Sequence, residues 1–181
     1  WRALSSIEAK EESKGSKNGG LIKAYKSKIE KDLNKFCYDV LKVLKEYLIP
    51  NAEKSDDKGK DDSQVFYLKM KGDYYRYIAE YASGDEHGEA SKGALEAYDA
   101  ATAIAQNLKT TNPIRLGLAL NSSVFHYEVQ NDPTKACQLA KTAFDEAIAD
   151  IEQLDDDVYK DATTIMQLIR DNLTLWTSEL E

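Results

Sequence analysis

The sequence has 181 residues, of which 42% are hydrophobic and 31% charged, a mixture typical of a globular domain and not of a disordered chain. Its formal net charge of −8 disfavours nucleic acids and anionic membranes as partners, because both repel negative charge. No apolar stretch approaches the roughly 20 residues needed to span a bilayer, so the sequence predicts no membrane insertion.

The cysteines and histidines form no cluster that could hold a metal ion. Cys37 and Cys137 lie far apart within helical patterns and are expected to be buried free thiols. Free thiols indicate a reducing compartment, the cytoplasm with the nucleus as a further location. No metal and no cofactor are predicted.

Apolar residues recur at helical spacing between short polar breaks. The first long stripe starts with Ile22, Tyr25 and Ile29 and continues at steps of three and four residues, and no segment alternates as a half-buried strand would. Pro113 and Pro133 each follow Asn or Asp, the order expected of an N-cap and a first helical residue. We therefore predict a helical stub at 1–13 and helices at about 20–49, 63–83, 87–108, 113–130, 133–152 and 157–179.

The breaks between these helices are short, so successive helices should pack antiparallel. Alanines such as Ala97, Ala101, Ala136 and Ala140 allow neighbouring helices to approach closely. The predicted fold is one all-α domain over residues 1–181, an antiparallel helical array that forms a concave amphipathic groove with packing like that of tetratricopeptide repeats. The acidic, lysine-rich stretch 50–63 is predicted to be a solvated, mobile loop.

The segment VFYLKMKGDYYRYIAEY holds the first candidate ligand site. On a helix, its residues Lys69, Asp73, Arg76, Tyr77 and Glu80 lie on one face. Arginine with tyrosine is the chemistry of a phosphate clamp, because the guanidinium binds two oxygens while the phenol donates to a third. In the alternative interpretation the charges pair with each other, Lys69 with Asp73 and Arg76 with Glu80. Spacing alone favours the second interpretation without excluding the first.

Two later segments place an asparagine in or beside an apolar stripe. Asn121 and Glu128 flank the stripe of residues 112–129, and Asn172 lies within that of residues 161–181. An asparagine in such a place can hydrogen-bond the backbone of an extended ligand. Packing against another helix would explain the apolar members equally well. Those members are Leu116, Leu120, Val124 and Tyr127 in the first segment and Ile165, Leu168 and Trp176 in the second.

Signals of catalysis are poor. The sequence has no glycine-rich phosphate loop, no HExxH motif and no nucleophile elbow. The acidic run 155–157 stands at a break, where a helix N-terminus favours acids in any case. His126 lies between Phe125 and Tyr127 and is predicted to be a structural histidine, not a general base. The chain is not predicted to be an enzyme.

The chain resembles 14-3-3 proteins over essentially its whole length, in the segments WRALSSIEAKEE, KMKGDYYRY, NPIRLGLALN, KACQLAKTAFDEAI and YKDATTIMQLIRDNLTLWTS. The resemblance implies an adaptor whose groove holds phosphoserine or phosphothreonine segments in extended form, so that phosphorylated signalling proteins are sequestered or scaffolded. It also implies a homodimer or heterodimer for the full-length protein.

The resemblance assigns roles to the candidate residues. Arg76 and Tyr77 would ligate the phosphate, with Lys69 and Lys71 on the basic side of the groove. The remaining residues would form the rest of the groove: Asn121 and Asn172 binding the peptide backbone, Leu120, Val124, Ile165, Leu168 and Trp176 lining the apolar wall, and Glu128 beside it.

The sequence also departs from the family pattern. Trp1 matches a tryptophan in the middle of the family's third helix, so the first two helices, with a lysine and an arginine of the phosphate pocket and the dimer contact, would be missing. Arg2 matches an arginine just after that pocket arginine and is not itself a phosphate ligand in the family. Ser122 and His126 stand where aromatic residues are usual, and the 53–63 loop is longer and more acidic.

The alternative function is a tetratricopeptide-like scaffold that binds unmodified peptide termini through a lysine-rich groove. That reading predicts self-similarity at a period of about 34 residues, and no such repeat is visible. Binding of one peptide with and without its phosphate would separate the two functions.

Overall fold

A computed structural model describes residues 1–14, 18–154 and 156–180. These ranges contain α-helices and no β-strand, which confirms the all-α prediction. The helices are α1 Arg2–Ser13, α2 Gly19–Val43, α3 Ile49–Lys54, α4 Lys60–Tyr81, α5 Gly84–Ala105, α6 Pro113–Glu128, α7 Pro133–Asp150 and α8 Asp156–Leu180. Asp155, part of the predicted acidic break, lies outside the described residues.

The predicted loop at 50–63 is wrong in its extent. A π-helical turn at Leu44–Leu48 joins α2 directly to α3, so the helical path runs on through Pro50 to Lys54. Proline lacks a backbone N–H, and its ring crowds the preceding helical turn. Wider π turns are one of the ways in which a helix accommodates such a disruption. Only residues 55–59 separate α3 from α4.

The acidic end of this stretch belongs to α4. Asp61 and Asp62 lie in the first turn of that helix, where negative charge stabilises the N-terminus. Asn112 donates a hydrogen bond of 2.8 Å to Asp62, and Asn107 donates one of 3.1 Å to Asp61. These contacts dock the start of α4 on the junction between α5 and α6, and mobility of the shorter loop remains a prediction.

The two predicted proline starts are confirmed. Asn112 accepts from the backbone N–H groups of Ile114 and Arg115 at 2.8 and 3.3 Å. Asp132 accepts from the backbone N–H of Lys135 at 2.9 Å. Each cap satisfies backbone donors that have no partner within the helix, so α6 and α7 begin where the sequence indicated.

The packing forms a layered array. Helices α4, α6 and α8 contact one another in series, α5 packs on α4 and α6, and α7 packs on α6 and α8. Because α4 and α5 are separated only by residues 82–83, they run antiparallel. The buried apolar residues fall into three clusters along this array, one between α2, α4 and α5, one between α4, α5 and α6, and one between α6, α7 and α8.

Small residues fill the helix contacts, as predicted. Ala97 and Ala101 of α5 and Ala136 and Ala140 of α7 are all at most 1% exposed. On α2 the predicted stripe is partly wrong, because Tyr25 and Phe36 are 58% exposed while the buried side carries residues such as Cys37 and Leu41. Cys37 is a buried free thiol as predicted, whereas Cys137 is free but only half-buried.

Candidate functional site

The residues proposed from the sequence for ligand binding all lie on α4, α6 and α8. These are three helices that contact one another in series, so the candidates lie on neighbouring helices, whose surface is the candidate ligand site. We call this surface the groove and its α4 and α8 sides the polar wall and the apolar wall. Lys69, Lys71, Arg76 and Tyr77 belong to the polar wall, Leu120, Asn121, Val124 and Glu128 to α6, and Ile165, Leu168, Asn172 and Trp176 to the apolar wall.

Asp73 organises the polar wall. Lys69 Nζ lies 2.8 Å from Asp73 Oδ2, and the Nδ2 group of Asn121 donates to Asp73 Oδ1 at 2.8 Å. An Nη2 nitrogen of Arg76 lies 3.7 Å from the same Oδ1 atom. The carboxylate is 6% exposed, and a buried charge is stable only when it is paired and hydrogen-bonded.

Of the two ion pairs in the alternative interpretation, one is confirmed and one is wrong. Lys69 does pair with Asp73. Glu80 pairs with Arg2 of α1, while Arg76 faces Asp73 and donates from Nε to the hydroxyl of Tyr98 at 3.3 Å. The helix is therefore not simply a run of self-paired surface charges.

Arg76 is a buried but charged guanidinium, only 9% exposed. Burial alone would lower its pKa, but Tyr98, the Asp73 carboxylate and Tyr77 together raise the pKa of Arg76 above its ordinary value. Its Cζ atom lies 4.9 Å from the centroid of the Tyr77 ring. The charge is thus retained and its direction is fixed by neighbours on two helices.

Other polar groups of the groove have no protein partner. Lys71, the hydroxyl of Tyr77 and the amide of Asn172 make no hydrogen bond with any other described residue. Asn121 donates one N–H of its side-chain amide to Asp73, so its carbonyl oxygen remains to accept a hydrogen bond from a ligand. These groups can bind a ligand without breaking an existing contact.

The apolar wall combines exposed and buried side chains. Leu168 is 49% exposed, whereas Trp176 is 4% exposed and stacks on Tyr127 with ring centroids 4.8 Å apart. Trp176 therefore contributes mainly to packing, which limits its predicted role as a wall residue. Leu120, Val124 and Ile165 are half-buried against the cluster formed by α6, α7 and α8.

A cavity of about 260 Å³ lies beside Arg76 and also borders Glu80, His87 and Glu128. Glu128 is exposed and lies 3.9 Å from Arg2. The imidazole Nδ1 of His87 lies 2.8 Å from the carbonyl oxygen of Ala79. Because this oxygen can only accept, Nδ1 is the nitrogen that donates the hydrogen bond.

The sequence analysis identified neither Tyr98 as a partner of Arg76 nor His87 as a residue that borders the cavity beside Arg76. Tyr98 is on α5, in a row of buried alanines that includes Ala94, Ala97 and Ala101. One large hydroxyl-bearing residue within a row of small ones is the signal that could have identified it. His87 has no comparable signal, because its proximity to Arg76 results from the turn between α4 and α5.

Two larger cavities are also present. One of about 290 Å³ lies between α5, α6 and α7, where Arg115 binds the carbonyl oxygen of Leu108 at 2.8 Å and Glu146 at 2.9 Å. The other, about 520 Å³, is mainly apolar and is lined by residues that include Trp1, Phe36 and Tyr77. Neither brings together more than one of the predicted site residues.

His126 is half-buried and contacts Phe125 edge-on at 5.4 Å between ring centroids. Burial lowers the pKa of His126, and the positive charge of Lys135 lowers it further. Both agree with a structural role for this residue. Within the described ranges, no three His, Cys, Asp or Glu side chains are grouped to hold a metal ion. None of the described helices combines the length and apolar character needed to cross a membrane.

Comparison with known proteins identifies the family to which the chain belongs. A family model described as 14-3-3 protein matches residues 1–177. The 14-3-3-like protein GF14 omicron of Arabidopsis thaliana is 58% identical over all of this chain and 70% of its own length. The 14-3-3 family protein artA of Aspergillus flavus is 57% identical over 98% of this chain and 73% of its own. The checkpoint signal transducer rad24 of Schizosaccharomyces pombe is 56% identical over all of this chain and 66% of its own.

The tetratricopeptide-like alternative is not favoured by these matches. The helical array, the order of the motifs along it and the family match over residues 1–177 agree with one another. The chain belongs to the 14-3-3 family of phosphopeptide-binding adaptor proteins.

Proposed function

We propose that the groove of this chain binds phosphoserine or phosphothreonine segments of partner proteins, with the phosphate on Arg76 and Tyr77. The observation that carries the proposal is the state of Arg76, a buried, charged guanidinium that is held by Tyr98 and lies against the ring of Tyr77. The hydroxyl of Tyr77 makes no hydrogen bond with the described residues. A phosphate offers the oxygens that such a pair can bind. Lys69 and Lys71 add positive charge on the same wall.

The backbone of the bound segment would be read by two asparagines. Asn121 offers its carbonyl oxygen, since its amide nitrogen already donates to Asp73. Asn172 can use both its carbonyl oxygen as an acceptor and its NH2 group as a donor. Because every peptide has the same backbone groups, these contacts would hold an extended segment independently of its sequence.

Side chains of the bound segment would contact the apolar wall. Leu168 is exposed and available for such a contact, while Glu128 at the end of α6 would favour a basic side chain. The phosphate of a partner protein would contribute most to recognition, and the residues that flank it would contribute less. Ile165 and Leu168 of the apolar wall would be continued on α6 by Leu120 and Val124, with Trp176 packed behind them.

The chain would act as an adaptor, binding phosphorylated signalling proteins and carrying out no chemistry on them. Assembly of the full-length protein as a homodimer or heterodimer, and a location in the cytoplasm and nucleus, belong to the same proposal. The large apolar residues exposed on α2, such as Leu21 and Phe36, are candidates for an assembly surface.

Fluorescence polarisation of one labelled peptide, with and without its phosphate, tests the proposal. The peptide is the tightest wild-type binder from a degenerate phosphoserine library. Arg76→Ala should weaken binding of the phosphorylated peptide roughly tenfold to a hundredfold, since hydrogen bonds to charged groups contribute about 1.5–3 kcal/mol.

Arg170→Ala is the matched control. Arg170 is also an arginine of the array, but it is exposed on α8 and hydrogen-bonded to Gln167. Its loss should leave the dissociation constant unchanged. Equal affinity for the two peptide forms would contradict phosphate recognition and return the tetratricopeptide-like function to consideration.

A further inference from the structure

We infer that Tyr98 and Asp73 are positioning residues of the groove, which fix the directions of Arg76 and Asn121 before a ligand arrives. The inference rests on the proposed function, since it concerns how that same site is held. Neither residue need touch the ligand. Each would act through the side chains that do.

Tyr98 links α5 to the polar wall through its hydroxyl. It is 1% exposed, and its ring lies 5.5 Å from that of Phe125. The hydroxyl donates to Asp73 Oδ1 at 2.6 Å and accepts from Arg76 Nε at 3.3 Å. Burial, reinforced by the Asp73 charge, raises the pKa of Tyr98, so the phenol keeps its proton. With that one proton committed to Asp73, the oxygen can only accept from Arg76.

Asp73 connects this hydroxyl to the remaining polar groups of the groove. Its Oδ1 atom accepts from both Tyr98 and Asn121, and its Oδ2 atom faces Lys69. One buried carboxylate therefore has partners on α4, α5 and α6. Removal of any donor would leave a buried charge less well satisfied, which is costly, so the donors are held in place.

Gly72 makes room for this arrangement. A Cβ atom at Gly72 would lie 2.7 Å from Cε1 and 2.8 Å from Cδ1 of the Tyr98 ring. Such distances are too short for any real contact, so the ring can lie against α4 only because residue 72 has no side chain. The close approach brings the hydroxyl within reach of Asp73, the next residue along the helix.

The consequence for binding is preorganisation. Arginine has a long, flexible side chain, and fixing it on binding costs conformational entropy. A guanidinium that is already held at Nε has lost much of that freedom before the ligand arrives, so less entropy is lost on binding. Loss of the Tyr98 hydroxyl should therefore weaken phosphopeptide binding by about threefold to tenfold, even though the hydroxyl does not contact the peptide.

A double-mutant cycle tests this on the 181-residue chain. Tyr98→Phe, Arg76→Ala and the double variant are titrated with the labelled phosphoserine peptide and with its unphosphorylated form. We expect Tyr98→Phe to weaken binding of the phosphopeptide and to have no further effect once Arg76 is absent. A purely structural role would instead weaken both peptides and add to the loss in the double variant.

Tyr75→Phe is the control for loss of a phenol hydroxyl. Tyr75 is a half-buried residue of α4 whose hydroxyl makes no hydrogen bond with the described residues. This variant should bind both peptides as the wild type does. Thermal unfolding of each variant reports whether the fold has been kept.

The outcomes separate the two proposals. If Arg76→Ala leaves phosphopeptide binding intact, the proposed function fails. If Arg76→Ala weakens binding but Tyr98→Phe does not, or if the two losses add, the positioning role is overturned. Hydrogen exchange of the Arg76 Nε–H in the free protein gives a second measurement, which we expect to be faster in Tyr98→Phe, and an unchanged rate would also contradict the inference.

Discussion

On α4 the main charged side chains of the groove have fixed polar partners, whereas the groove side chains of α8 make no polar contact with the described residues. Lys69 and Arg76 are tied to Asp73 and Tyr98. Asn172 and the half-exposed Leu168 have no such contacts among the described residues, whereas Trp176 is buried and Ile165 is half-buried in the core. Under the proposed function, this difference suits one wall to a fixed anion and the other to variable apolar contacts. It also predicts which substitutions will cost stability and which will cost only binding.

The largest effect on stability should come from the buried part of the apolar wall. Trp176→Ala removes a side chain that is 4% exposed and stacked on Tyr127. We expect a loss of about 3–5 kcal/mol in the free energy of unfolding, from lost burial and the cavity left behind. Denaturant unfolding followed by circular dichroism measures it.

Leu168→Ala is the matched comparison on the same helix. Leu168 is 49% exposed, so its loss should change the free energy of unfolding by no more than about 0.5 kcal/mol while weakening peptides with an apolar residue beside the phosphate. Similar unfolding losses in the two variants would show that the apolar wall is not divided into a buried support and an exposed contact.

The polar wall should show a similar division between its two lysines. Lys69→Met removes the partner of a largely buried carboxylate and should lower the free energy of unfolding by about 1.5 kcal/mol, because Asp73 keeps its other donors. Lys71 has no such partner among the described residues, so Lys71→Met should leave stability within about 0.5 kcal/mol of wild type.

Both lysine variants should weaken phosphopeptide binding and lessen its dependence on salt, since each removes one positive charge from the wall. Thermal unfolding and titrations at two ionic strengths give both quantities. If Lys69→Met and Lys71→Met were equally stable, Lys69 would not be part of the Asp73 network in solution.

The smallest effects should come from the asparagines. Asn172→Ala should weaken several unrelated phosphopeptides by a similar factor, about fivefold for a hydrogen bond worth about 1 kcal/mol, and leave the unfolding curve unchanged. Asn121→Ala should weaken the same peptides and also lower stability, because Asp73 loses a donor. Widely different factors among the peptides would mean that the asparagines read side chains and not the backbone.

The sequence predicted the helices and the surface, but not the partners across helices. Hydrophobic spacing and the caps at Asn112 and Asp132 located α6 and α7 within a few residues. The same spacing placed Arg76 opposite Glu80, because pairs along one helix are all that spacing can evaluate. Tyr98 comes from another helix, and only packing brings it to Arg76.

Two further errors have physical causes. The sequence predicts that a helix ends just before Pro50, but a π-helical turn accommodates the proline and the helical path continues. The resemblance assigns Trp176 to the apolar wall, and Trp176 shares a stripe with Leu168. A stripe on a helix is wider than the face that remains accessible, so spacing could not show that one member is buried and the other exposed.

The central claim is that phosphate binds at Arg76, and nuclear magnetic resonance of the arginine side chains tests it directly. The chain has only four arginines, Arg2, Arg76, Arg115 and Arg170, so their Nε–H signals can be assigned by substitution. On titration with the phosphoserine peptide, the Arg76 signal should shift with the same dissociation constant as fluorescence polarisation gives. The Arg115 and Arg170 signals should stay in place, and the unphosphorylated peptide should move none of these three. A phosphopeptide that binds while the Arg76 signal remains unmoved would contradict the account.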